Sequence, residues 1–138
     1  MSEPFSLTER VRFGDLDAMQ HLNNVQFLRY FETARIQYMT TLFPEHKPTS
    51  QQQFGFIFAE CKISYRSPAY YGEEIRIGVW PKKIGNASLH LTFEMHAMPE
   101  ERLVAEGYGV LVGFDYTENR SHPLPDHVRE RLAQDIRE

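Results

Sequence analysis

The sequence predicts a mixed α+β domain in which one antiparallel sheet covers its apolar face with a single long helix. Three observations predict it. Five stretches alternate apolar and polar residues with the period of half-buried strands. One stretch, between the first and second of these, carries a wide apolar stripe at helical spacing instead. The later strands are joined by short, turn-like segments, as antiparallel neighbours allow. At 138 residues the chain holds one ordinary core and not two, so residues 1–138 read as a single domain.

The first strand rests on Phe5, Leu7, Val11 and Phe13, which alternate with Ser6, Thr8, Arg10 and Arg12; Glu9 breaks the pattern. The long helix follows from Asn24. In "NVQFLRYFETARIQYMTTLF", Phe27, Leu28, Phe31, Ala34 and Tyr38 stand one, three and four apart. Asn23 or Asn24 caps its start, and Pro44 lies beyond its end. The second strand sets Ile57, Ala59, Cys61, Ile63 and Tyr65 against Phe58, Glu60, Lys62, Ser64 and Arg66. That parity turns Glu60 away from the covered face unless a bulge intervenes. Ile75, Ile77 and Val79 mark the third strand. Ala87, Leu89, Leu91, Phe93, Met95 and Ala97 mark the fourth. A fifth runs from about Leu103 to Tyr116, with glycines at 107, 109 and 113. "SPAYYGEE", "KKIGN" and "MPEER" supply the turns. A short terminal helix follows Pro125, with Val128, Leu132 and Ile136 four apart.

Composition narrows the function classes. Hydrophobic residues at 41% and charged residues at 25% are ordinary globular values. No run approaches the roughly 20 apolar residues of a spanning helix, and the N-terminus lacks a signal-peptide pattern. A lone cysteine, Cys61, fits a reducing, cytoplasmic compartment. A net charge of −4 argues against nucleic acid as the main partner. His90 and His96 share a strand face about 20 Å apart at the usual rise. No HxxxH or CxxC spacing occurs, so no metal site is expected, and no redox cofactor is implied.

The polar joint before the helix, "GDLDAMQHLNN" from Gly14 to Asn24, asks for an explanation. Taken singly, its residues have bland ones: Asp15 as a turn residue, Asn23 or Asn24 as a cap, His21 as a hydrogen-bonded structural group. Together they say more. "RFGDLDAMQHLNNVQFLRYFETAR" resembles the signature of hotdog-fold acyl-CoA thioesterases of the 4-hydroxybenzoyl-CoA thioesterase type, with Asp15-Leu16-Asp17 as its D-x-D and Glu32, Ala34 and Arg35 as its Glu-x-Ala-Arg. "AECKISYRSPAYYGEEI" resembles the second block of that family, through Tyr65, Pro68 and Gly72. The resemblance spans about residues 5–117. It implies a five-stranded antiparallel sheet wrapped around the long helix and hydrolysis of an acyl-CoA thioester. It also implies a homodimer or homotetramer with sites at subunit interfaces, and the carrier of the acyl group is left open between coenzyme A and acyl carrier protein.

Carried over, the catalytic carboxylate falls on Asp17, as nucleophile or general base. Parity agrees if the first strand continues through Gly14, since Asp17 then joins the odd-numbered set. The N–H of Asn24 at the helix start is the candidate oxyanion donor. His21 takes a secondary role in orienting substrate or water. In the similar run of plant acyl-carrier-protein thioesterases an Asn is catalytic, and here Met19 occupies that place. Coenzyme A phosphates want cations: Arg66 with Ser67 opens one candidate loop, and Lys82 and Lys83 sit in another. Trp80 and "FGFIF" (Phe54 to Phe58) serve an acyl channel or packing equally well. Hotdog enoyl-CoA hydratases resemble G-D-x-N-P-x-H, and here Gln20 stands where that His belongs. A non-catalytic acyl-CoA or acyl-carrier-protein binding protein is the alternative of a different class.

Overall fold

Alternation in one strand sets the frame. Leu89, Leu91, Phe93, Met95 and Ala97 are fully buried, while His90, Thr92, Glu94 and His96 between them are only partly covered. One sheet face therefore carries the core and the other meets solvent. The computed structural model describes residues 5–45 and 54–137 (for Phe54, the backbone only). The elements are β1 (Phe5–Arg10), α1 (Asn24–Leu42), β2 (Phe54–Tyr65), β3 (Glu74–Ile84), β4 (Ser88–Met98), β5 (Arg102–Asp115), a two-residue β6 (Arg120–Ser121) and α2 (Asp126–Ala133). The antiparallel sheet has the order β1-β3-β4-β5-β2, with β6 added to β5.

The long helix lies on the apolar face. Phe27, Tyr30, Phe31, Ala34, Tyr38 and Met39 are buried on it, and Phe31 stacks on Phe93 of β4 at 4.3 Å. Leu28, expected in the stripe, is instead 41% exposed at its margin. On α2, Val128 and Leu132 are buried, and Arg129 donates to the Gly85 and Asn86 carbonyls at the β3–β4 turn. Ile136 lies beyond the helix end and is exposed.

Three local departures from simple alternation shape the rest. β1 stops at Arg10, and Phe13–Asp15 forms a 3-10 turn, so Phe13 is exposed and the parity argument for Asp17 does not hold. β3 runs on past Val79 through Pro81 to Ile84, so Lys82 and Lys83 belong to a strand rather than a loop. Pro81 stands opposite Leu91 of β4, and its carbonyl accepts the Arg137 N–H at 3.1 Å. In β2 the register slips between Phe58 and Glu60. This bulge turns Phe58 inward against Phe31, while Cys61 and Ile63 beyond it also pack on the core. Glu60 stays outward, where it accepts from the Tyr108 hydroxyl at 3.3 Å.

Candidate active site

The loop from Leu16 to Leu22 is closed like a small hairpin. Those two leucines form an isolated antiparallel bridge, the Asp17 N–H donates to the His21 carbonyl, and Gln20 turns the chain at φ 64°. Asp17 organises it. Its Oδ1 accepts the N–H groups of Met19 at 2.9 Å and His21 at 3.2 Å, while Oδ2 has no partner among the described residues. One carboxylate oxygen thus holds the loop and the other is available.

A second carboxylate anchors the loop from behind. Asp15, expected as a turn residue, is buried at 8% exposure, and its Oδ2 accepts from the Tyr30 hydroxyl at 2.7 Å and from the Arg12 N–H and Nε at 3.1 and 3.3 Å. Burial pushes the Asp15 carboxyl up, but these hydrogen bonds outweigh it and hold it below its ordinary value. Burial and the bond to Asp15 push the Tyr30 phenol well up. The Asp15 carbonyl also accepts the Asn23 N–H at 2.9 Å, which fixes where α1 begins.

Asn23, of the two possible caps, does the capping: its side chain accepts from the Val25 N–H at 3.0 Å. Asn24 is then the first helical residue. Its N–H has no acceptor among the described residues and lies at the positive end of a 19-residue helix. Its carbonyl accepts from the Tyr65 hydroxyl at 3.3 Å.

Asp17, His21, Asn24, Arg66 and Ser67 line one open cleft of about 450 Å³, with Phe27, Tyr65 and Pro68. His21 packs edge-on against Tyr70 at 5.5 Å. Ser67 donates to the Leu103 carbonyl, which ties the wall to β5. Arg66 pairs with Glu106 at 2.8 Å. Lys82 and Lys83 are not in this cleft; they line a separate groove that Arg66 also borders. Sequence reasoning misses Asp15 and Tyr30 as a buried pair, and the only signal is a Tyr at helical spacing from Phe27 and Ala34, fifteen residues after an acid.

A third cavity, of about 200 Å³, lies where mid-helix Arg35, Ile36, Met39 and Thr40 face Phe56, Phe58 and Leu111. The Arg35 guanidinium sits 4.2 Å over the Phe58 ring. Trp80 lines none of these cavities and stacks with Arg137 at 5.3 Å. Among the described residues, no group of three or more His, Cys, Asp or Glu stands close enough to hold a metal, and no helix is long and apolar enough to cross a membrane.

Fold and cleft define a hotdog domain with a carboxylate beside a helix N-terminus. Comparison with known proteins agrees. The thioesterase-like superfamily model matches residues 11–132. The long-chain acyl-CoA thioesterase FadM of Escherichia coli is 26% identical over 137 residues, 93% of this chain and 96% of FadM. A thioesterase from Thermus thermophilus, solved in complex with coenzyme A and Zn, is 33% identical with a TM-score of 0.82, over 96% of this chain and 94% of that one. A predicted thioesterase from Bacillus stearothermophilus shares the fold at a TM-score of 0.87 and 24% identity, over 97% of both chains. The chain belongs to the thioesterase-like superfamily, as a thioester hydrolase of the hotdog fold.

Proposed function

We propose that this protein hydrolyses acyl-CoA thioesters to the free acid and coenzyme A, with Asp17 as the reacting carboxylate. The observation that carries the reading is the pairing, in one cleft, of a carboxylate with a free oxygen and an unpaired N–H at a helix start. The thioester oxygen takes the Asn24 N–H, which stabilises the charge that develops there. Asp17 Oδ2 either attacks the carbonyl carbon, giving a mixed anhydride that water then opens, or takes the proton from an attacking water. The C–S bond breaks and coenzyme A leaves as its thiol. His21 orients substrate or water at the cleft wall, and Arg66 and Ser67 flank the path of coenzyme A. FadM acts on long-chain acyl-CoA by name, and a 1,4-dihydroxy-2-naphthoyl-CoA hydrolase of Prochlorococcus marinus is 28% identical over 103 residues, 69% of either chain. Both support a coenzyme A thioester as the substrate.

The working unit in this reading is a homo-oligomer. β2 is a twelve-residue edge strand, and Ile57, Phe58 and Tyr65 on it are each more than a third exposed. Such an edge invites a second copy by strand pairing. The lone Cys61, free of any disulfide, supports a reducing cytoplasmic setting.

Thiol release from a panel of acyl-CoAs, with the native protein and Asp17→Asn, tests the reading. Asn keeps the Oδ1 acceptor for Met19 and His21 and removes the carboxylate chemistry. Loss of turnover with folding and binding retained is the expected result. Full activity in Asp17→Asn would mean a different carboxylate acts. An acyl-CoA that binds the native protein without any thiol release would make it an acyl-binding protein instead.

A further inference from the structure

The segment from Arg66 to Glu73, between β2 and β3, supplies one wall of the Asp17 cleft through Arg66, Ser67 and Pro68. Backbone bonds tie it down at three places. The Arg66 and Ser67 N–H groups donate to the Val104 carbonyl, the Leu22 N–H donates to the Ala69 carbonyl at 2.7 Å, and the Gly72 N–H donates to the Val11 carbonyl at 3.0 Å. Between these anchors the Pro68 carbonyl and the Tyr70 N–H are held by side chains, and one ion pair serves both. Glu73 Oε1 accepts the Tyr70 N–H at 2.8 Å. Arg102 donates to Glu73 Oε1 at 2.9 Å, to its Oε2 at 3.1 Å and to the Pro68 carbonyl at 3.0 Å.

The β4–β5 hairpin brings Arg102 to this place, as the first residue of β5 and opposite Ala97 of β4. All its bonds here leave one guanidinium nitrogen, Nη2, so a single charged donor bridges the acid and the carbonyl. The guanidinium also lies 5.9 Å from the centre of the Tyr70 ring. That ring in turn stands edge-on to His21 at 5.5 Å. The His21 ring nitrogens have no hydrogen-bond partner among the described residues, which leaves the Tyr70 edge to orient the ring. His21 lines the cleft, whereas Arg102, Glu73 and Tyr70 line none of the three cavities. A chain of contacts therefore runs from a charge outside the cleft to a side chain inside it.

We propose that Arg102 is a positioning residue for the hydrolytic site: through Glu73 and the Pro68 carbonyl it fixes Tyr70, and Tyr70 holds the His21 ring at the cleft wall. The proposal rests on the acyl-CoA hydrolase reading and deepens it. Loss of Arg102 leaves the backbone anchors at Arg66, Ala69 and Gly72 in place, so the segment stays folded while the Tyr70 ring loses its fixed position. Because one nitrogen makes every bond, a lysine ammonium can stand in for it, which is not so of a bidentate fork.

The experiment measures hydrolysis of one acyl-CoA by the full chain and by Arg102→Gln, Arg102→Lys, Tyr70→Leu and His21→Ala. Two double variants join His21→Ala to Arg102→Gln and to Tyr70→Leu. Arg102→Gln should lower kcat by about tenfold with KM changed less, within what misplacing a group by an ångström costs. Arg102→Lys should restore most of that loss, and Tyr70→Leu, which breaks the chain at its last link, should reproduce it. In the His21→Ala background neither change should lower kcat further, the non-additivity of residues that act through one group. A merely structural role would lower kcat equally in both backgrounds, and that result overturns the proposal. So does native kcat in a folded Arg102→Gln or in His21→Ala. Should Arg102→Gln not fold, Tyr70→Leu decides by the same comparison of backgrounds. NMR of the histidine ring protons gives a readout independent of turnover: the Tyr70 ring current shifts those of His21, and Arg102→Gln should move them as Tyr70→Leu does. His21 resonances unmoved in Arg102→Gln would overturn the proposal and leave the hydrolase intact. No thiol release from any acyl-CoA would sink the earlier reading instead, and the resonances would still report on the contact chain.

Discussion

The Tyr30 hydroxyl donates to Asp15 Oδ2 at 2.7 Å, joining the buried face of α1 to the turn that precedes the Asp17 loop. Asp15 in turn takes the Asn23 N–H on its carbonyl, so the phenol, the carboxylate and the helix cap form one chain of contacts ending at Asn24. Tyr30→Phe removes the hydroxyl and little else, and leaves a buried carboxylate short of a donor. We expect a loss of about 1.5–3 kcal/mol, the range for a hydrogen bond to a charged group. Denaturant unfolding measures it. Because the helix start is held through Asp15, kcat should fall more than KM rises.

The same carboxylate makes stability depend on pH with a definite sign. Its folded-state pKa lies below the ordinary value, so the unfolded chain binds the proton more tightly. The stabilisation is present above about pH 4, the unfolded value, and is lost as pH falls through the lowered folded one. Asp15→Asn keeps an oxygen for Tyr30 and Arg12 but carries no charge. The variant should be less stable than the native protein at pH 7, and the gap should narrow on the acid side. Its turnover should survive far better than that of Asp17→Asn. Unfolding curves at neutral and acid pH check the first point, and thiol release checks the second.

Gly107 gives a packing prediction for the sheet. A Cβ there would overlap the Lys62 carbonyl oxygen and stand 2.9 Å from its carbon, both backbone atoms that cannot rotate away. Gly107→Ala must therefore part β5 from β2 locally. Since Lys62 and Ile63 sit on the edge strand, the expected outcome is a lower Tm together with loss of the proposed oligomer, read by thermal unfolding and light scattering.

Much of this is legible in the sequence, and the misses have causes. β4 alternates without a fault because it is paired on both sides and covered on one. β2 reads correctly from Cys61 onward but not before, because the slip at Phe58/Glu60 reverses the faces and a bulge leaves no mark on hydrophobic pattern. Motif resemblance groups Asp17, His21 and Asn24, and they do share a cleft. Lys82 and Lys83 read as loop residues because they follow a proline and precede Gly85; the strand continues because β4 goes on pairing with Lys83 and Ile84. Asp15 passes for a turn residue because its partner Tyr30 arrives only through tertiary packing.

The sharpest separation of side-chain from backbone chemistry lies at Asn24. Its proposed role belongs to the N–H alone, so Asn24→Ala should keep turnover within about twofold, the carbonyl and N–H being unchanged. Asn24→Pro removes that N–H. Proline is well suited to the first helical position, where the N–H makes no intrahelical bond. The residue before it must be extended, and Asn23 already is, at φ −64° and ψ 139°. The Pro variant should therefore fold with a native Tm and still lose about 10²–10³-fold in kcat, the cost of one oxyanion donor. A folded Asn24→Pro protein with native kcat would show that the carbonyl is polarised elsewhere. Native-like unfolding with turnover lost would place the oxyanion on the first N–H of α1.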